Sequence, residues 1–189
     1  VPIEDLEFWA KLADSGQTGI FPDQAVNWQW IADQVGRIET GPRILNLFGY
    51  TGIASIIGAA AGAEVTHVDA SRFSISWAAE NQKTIDPNLR IRWIVDDALK
   101  FVKREARRGS KYHGVIVDPP KFGRGPKGEV WKLEESLGEL LHSCREILAD
   151  QPQFVSISIY SVPISAISVG NILDEMMKNF NGEITCGEL

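Results

Sequence analysis

Five short runs rich in β-branched residues recur along this chain, separated by longer stretches of helical periodicity. That alternation restricts the fold more than any other feature. The runs span residues 43–48, 64–69, 91–95, 114–118 and 154–160, and the helical stretches 53–62, 73–81, 99–108, 130–148 and 164–179. Strand, helix, strand at this spacing requires right-handed crossovers and a parallel sheet covered on both faces. The runs are continuous and apolar, as in "HGVIVD", which is how strands buried on both sides read. Within 130–148, Val130, Leu133, Leu137, Leu140, Leu141, Cys144 and Leu148 fall at three- and four-residue steps. One helical face is therefore expected on the sheet, with Cys144 as a small core residue. The expected class is α/β, a doubly wound and mostly parallel sheet with helices on both faces.

The first 42 residues follow another pattern and are expected to form a helical extension, with the α/β unit occupying residues 43–189. Leu6, Trp9, Leu12 and Ala13 suggest a short amphipathic helix; after a turn-rich segment, Asp23 is placed to cap a second helix ending near Val35. "NGEITCGEL" reads as the start of a sixth strand, so the last strand or strands are expected to be missing through truncation. A chain of 189 residues can bury roughly 70% of its unfolded surface and needs no disulfide or metal staple. Cys144 and Cys186 offer no metal-site spacing, and no apolar run approaches the ~20 residues of a membrane span. A soluble protein of a reducing, cytoplasmic compartment is expected. The net charge of −6 argues against a broad basic face for nucleic acid. The basic cluster Lys103, Arg104, Arg107, Arg108 and Lys111 reads as an exposed helix face interleaved with Glu105.

Open parallel sheets bind ligands outside the carboxyl ends of their strands, so the residue after each strand carries the information. Phe48-Gly49-Tyr50-Thr51-Gly52 follows the first run, and its glycines allow a tight turn ahead of a helix N-terminus with unpaired N–H groups. Asp69 ends the second run about twenty residues on, where a carboxylate can accept both hydroxyls of a ribose. The alternative for Asp69 is a helix cap, a task that Ser71 could serve equally. Together these features suggest an adenosine-containing cofactor. The third run enters Asp96-Asp97-Ala98, where a carboxylate can accept from an adenine amino group. The fourth ends in Asp118-Pro119-Pro120-Lys121-Phe122. Two prolines remove two N–H donors and leave carbonyls, so with Asp118 they form a cluster of acceptors suited to an exocyclic –NH₂. Phe122 or Tyr160 could stack on the ring bearing that amine. His67 and His113 read as packed or surface histidines, and no metal is assigned.

At these residues the sequence resembles the class I S-adenosylmethionine-dependent methyltransferases, and within them the large-subunit ribosomal RNA methyltransferases and their uncharacterised relatives. "TGIFPDQ", "ILNLFGYTG", "VTHVDAS", "IVDDALKF" and "VIVDPPKFGRG" occur in the family's order, from about Thr18 to Tyr160. The resemblance implies a Rossmann-like methyltransferase sheet and S-adenosyl-L-methionine as cofactor. It implies that Gly49, Tyr50, Thr51 and Gly52 shape the loop under the methionine moiety, that Asp69 takes the ribose beside Ala70 and Ser71, and that Asp97 and Ala98 flank the adenine. It further implies that Phe21, Asp23 and Gln24 fold over the cofactor, and that Asp118, Pro119 and Pro120 lie beside the transferable methyl group.

The departures narrow the chemistry. Methylation of cytosine carbon 5 needs a cysteine nucleophile, yet Lys121 follows Pro120 and the fifth run reads Ser158-Ile159-Tyr160-Ser161. Methylation of nitrogen or oxygen needs no covalent step and is favoured. RNA is the expected substrate, held partly by surface outside this chain, and Lys121 either steers an anionic substrate or is a solvated lysine. Two rivals differ in kind. A nucleotide-dependent oxidoreductase should carry a third glycine at the G-x-G-x-x-G spacing, where this chain has Ile53, Ala54 and Ser55. A catalytically silent domain that only binds S-adenosylmethionine would have no need of the acceptor cluster at Asp118.

Overall fold

The structure is a computed structural model, described here for residues 6, 8–10, 18–160 and 165–187. Strands β1 (Arg43–Leu47), β2 (Glu64–Asp69), β3 (Ile91–Val95), β4 (Gly114–Val117) and β7 (Phe154–Ile157) form one sheet in the order β3-β2-β1-β4-β7. Every pairing in it is parallel, with Leu45 opposite Thr66 on one side and Val115 on the other. The strand order reverses between β1 and β4. Helices α1 (Ala25–Gly36), α2 (Ile53–Ala60), α3 (Arg72–Ile85), α4 (Ala98–Arg107), α5 (Leu133–Glu146) and α6 (Ala166–Met177) cover the sheet.

Side chains that alternate along a strand feed two cores. Leu45, Leu47, Val115 and Val117 pack with Phe101 of α4 and with Leu137, Leu140, Leu141 and the buried Cys144 of α5. Ile44, Ile116 and Phe154 face the other way, onto Ile31 and Val35 of α1. This is the doubly wound, Rossmann-like arrangement expected. Among the described residues no helix is long and apolar enough to cross a membrane, and no cluster of three or more His, Cys, Asp or Glu could hold a metal ion.

Four local expectations need correction. The helix expected from residue 130 begins at Leu133, because residues 122–132 form an antiparallel hairpin of β5 (Phe122–Arg124) and β6 (Val130–Lys132). Val130 to Lys132 alternates exposed, buried, exposed, a period of two hidden by the accidental i,i+3 match of Val130 to Leu133. Asp23 caps nothing: it lies in a 3₁₀ turn, Pro22–Gln24, and α1 begins after Gln24 without a side-chain cap. Strands β4 and β7 stop at Val117 and Ile157, short of the expected ends. Residues 181–187 form no strand. The helix expected around Leu6 and Trp9 falls mainly outside the described residues, as do Leu12 and Ala13. Trp9 itself is fixed on α3: its N–H donates to Asn81 Oδ1 and its indole N–H to Thr84 Oγ1, while Trp77 Nε1–H donates to its carbonyl.

Candidate active site

The carboxyl ends of the five parallel strands open into a cleft of about 400 Å³, walled on one side by residues 19–31 and on the other by the β5–β6 hairpin. Its centre is the loop after β1. Phe48, Tyr50 and Gly52 all have positive φ (58°, 50° and 84°), so two bulky residues share a conformation that costs them energy. Gly49 is required for a different reason. A Cβ there would lie 2.3 Å from the ring of His67, which is fully buried behind the loop. Burial drives the His67 pKa down to about 3; the neutral ring meets Ser55 Oγ at 2.9 Å, and Ser55 accepts from Asn46 at 2.8 Å. His67 is a packed residue, as expected. Gly52 packs against Ala78 and Trp93 and leads into α2, whose first residues, Ile53 and Ala54, line the cleft.

Asp69 lies at the end of β2. Tyr50 N–H donates to its Oδ2 at 2.9 Å and Ser71 N–H to its Oδ1 at 2.8 Å. Burial raises its pKa while those two donors pull it back. The cap of α3 is Ser71, whose Oγ accepts from Ser74 N–H at 3.1 Å, so capping does not account for Asp69. After β3, Asp96 pairs with Arg104 and accepts from Asp97 N–H. Asp97 caps α4 through Lys100 N–H at 2.9 Å with one oxygen, and its other oxygen has no hydrogen bond among the described residues.

Asp118 differs from all three. Its Oδ1 is buried without a hydrogen-bond partner among the described residues, and burial, aided by the nearby charge of Asp23, pushes its pKa up to about 6. A buried, unsatisfied acceptor is costly, so its persistence points to a donor that arrives with a ligand. Pro119 and Pro120 supply no N–H. The Pro120 carbonyl, expected to be free, already accepts from Trp131 Nε1–H at 2.7 Å. Trp131 also packs on Phe48, ring centres 4.8 Å apart, so the hairpin joins the two central loops.

Of the residues singled out in the sequence, Phe21, Gln24, Phe48, Gly49, Tyr50, Thr51, Asp69, Ala70, Ser71, Asp97, Ala98, Asp118 and Pro120 line the cleft. Asp23, Gly52, Pro119, Lys121 and Phe122 do not. Pro119 is buried behind the turn, and the pleat of β5 turns Phe122 outward, leaving Tyr160 as the ring beside Asp118. Asn27, Trp28, Ser158 and the segment Gly123, Arg124 and Gly125 also line it and were not foreseen. Asn27 donates to Gln24 Oε1 and Ser158 Oγ, a polar cluster that joins α1 to the end of β7. Only its one-turn repeat after Gln24 hints at it in the sequence. No cysteine lines the cleft: Cys144 is buried with its thiol pushed up to about 12, and the exposed Cys186 lies against Gly170 of α6.

A family model described as S-adenosylmethionine-dependent methyltransferase matches residues 3–157. The ribosomal RNA large subunit methyltransferase K/L of Hahella chejuensis is 34% identical over 147 residues, covering 75% of this chain and 19% of its own length. The corresponding protein of Shewanella frigidimarina is 30% identical, covering 79% of this chain and 20% of its own. This chain thus spans about a fifth of those relatives. The crystal structure of a SAM-dependent methyltransferase from Agrobacterium tumefaciens superposes with a TM-score of 0.89 at 46% identity, over 91% of this chain and 55% of that one.

Proposed function

Because the chain belongs to the S-adenosylmethionine-dependent methyltransferase family, we propose that its cleft carries a methyl group to an exocyclic nitrogen of RNA. The observation that carries this reading is the buried, donor-free Oδ1 of Asp118 on a turn whose prolines supply no N–H. Bound S-adenosylmethionine supplies a methyl group already activated by a positively charged sulfur. The cleft lining fits it: Asp69 would offer its remaining lone pairs to two ribose hydroxyls, Asp97 and Ala98 would flank the adenine, and the loop from Phe48 to Gly52 with the start of α2 would receive the methionine end.

Asp118 would accept a hydrogen bond from the amine and point its lone pair along the cleft. The protein then contributes mainly alignment, worth several kcal/mol of barrier. A carboxylate with a pKa of about 6 is ionised at neutral pH and is a better late proton acceptor than an ordinary aspartate. Tyr160, half-exposed beside it, can stack on the base. Cytosine carbon methylation finds no cysteine at the cleft.

Calorimetry combined with a transfer assay tests this reading. Binding of S-adenosylmethionine together with methyl transfer to total RNA is expected; binding with no transfer to any substrate pool would favour a catalytically silent domain.

A further inference from the structure

Two basic clusters of this acidic chain differ in how far the protein neutralises them. On α4 and just beyond it, Arg104 pairs with Asp96, Arg108 with Glu105 and Lys103 with Glu139, while Lys111 donates to the Glu146 carbonyl. Only Arg107 lacks a partner there among the described residues. The hairpin region, 121–132, carries four basic residues and one acidic. Its one carboxylate, Glu129, is already held by Lys100 of α4 at 2.7 Å. Lys132 pairs with Glu135, but Lys121, Arg124 and Lys127 are exposed and have no carboxylate partner among the described residues.

The pleat sorts the hairpin into two faces. Trp131 points inward, where its indole holds the Pro120 carbonyl. Phe122 opposite Lys132 and Arg124 opposite Val130 form the outer face, with Phe122 55% and Val130 53% exposed. Cations interleaved with an exposed ring are the components that grip single-stranded nucleic acid, the cations on phosphates and the ring on a base. The same hairpin lines the Asp118 cleft through Gly123, Arg124 and Gly125.

We infer that the exposed side of the β5–β6 hairpin, together with Lys121 just before β5 and Lys127 in its turn, is the docking surface for single-stranded RNA beside the target base, with Lys121, Arg124 and Lys127 on phosphates and Phe122 on an unpaired base. This rests on the RNA reading above and adds the contact surface. The neutralised α4 cluster takes no part. Because Trp131 anchors the hairpin to the Asp118 turn, phosphates held on it sit at a fixed offset from the cleft.

The test is anisotropy of a short fluorescein-labelled single-stranded oligoribonucleotide of mixed sequence, with S-adenosylhomocysteine present, across a salt series. A variant combining Lys121→Ala, Arg124→Ala and Lys127→Ala should bind at least tenfold more weakly, with the log–log salt slope reduced by about 2. Phe122→Ala should lose roughly tenfold with the slope unchanged. A control with Lys103→Ala, Arg107→Ala and Lys111→Ala should stay within twofold of the native chain. A native-like far-ultraviolet circular dichroism spectrum and an unchanged thermal midpoint in every variant certify the fold. Equal loss in both triple variants, or none in the hairpin variant, overturns the hairpin assignment while leaving the RNA reading intact. Displacement of the RNA by polyglutamate at equal charge concentration would make the face a site for acidic peptides and overturn the assignment too. A native chain that binds S-adenosylhomocysteine but no RNA at low salt would overturn the RNA reading itself.

Discussion

Asp69 ends β2 and Asp118 directly follows β4 of the same sheet; both face the same cleft and are raised in pKa by burial. Their hydrogen bonding is opposite. Asp69 receives backbone N–H donors on both oxygens, whereas Asp118 has a buried oxygen with none and a second carboxylate, Asp23, close enough to raise its pKa. A carboxylate satisfied by the backbone is part of the scaffold and offers only spare lone pairs to a ligand. One left unsatisfied carries a standing cost that a ligand donor relieves. The β2 rim is thus built to hold, and the β4 rim is built to wait.

Substitutions at the two positions should separate along that line. Asp118→Asn, which places an N–H donor where an amine must donate, should reduce methyl transfer by about 10²–10⁴-fold, with the S-adenosylhomocysteine Kd within about threefold in calorimetry. Asp69→Ala should do the reverse, weakening S-adenosylhomocysteine by about 10²-fold through lost charge-assisted hydrogen bonds. Loss of affinity from Asp118→Asn as large as that from Asp69→Ala would erase the contrast.

The pH dependence sharpens it. Transfer should rise about tenfold per pH unit up to about 6, as Asp118 ionises, and then level off; this limb should vanish in Asp118→Asn. The stability effect has the opposite sign. A pKa raised in the folded state, from 3.8 to about 6, means that ionising Asp118 destabilises the fold, a cost absent below pH 3.8 and complete above about 6. Asp118→Asn should therefore stabilise the ligand-free chain at neutral pH, by on the order of 2–3 kcal/mol in denaturant titrations. Smallest of all, Trp131→Phe keeps the packing on Phe48 but removes the bond to the Pro120 carbonyl. It should lower kcat about fivefold and leave cofactor affinity unchanged.

The same two rims differ in how well the sequence disclosed them. The β-branched runs identified all five strands of the large sheet, and the residues at or just beyond the end of each run put Asp69, Asp97 and Asp118 at the cleft, because strand ends sit at fixed places in a parallel sheet. The hairpin beside Asp118 stayed hidden. Its two three-residue strands are too short for a period to register, and Val130 joined the helical repeat of the following residues by coincidence. The glycine loop was legible in position but not in conformation: positive φ falls on Phe48 and Tyr50, which it strains, as well as on Gly52, which it does not. Nor does a sequence reveal whether a carboxylate finds donors. That depends on backbone groups such as Tyr50 N–H, brought to Asp69 from nineteen residues away.

The most direct test is nucleoside mass spectrometry of RNA from cells lacking the protein, treated with the purified chain and methyl-labelled S-adenosylmethionine. The label is expected on an exocyclic base nitrogen, and only with Asp118 intact. Label on carbon 5 of cytosine or on a ribose oxygen, or undiminished labelling by Asp118→Asn, would contradict the role given to the unpaired oxygen of Asp118.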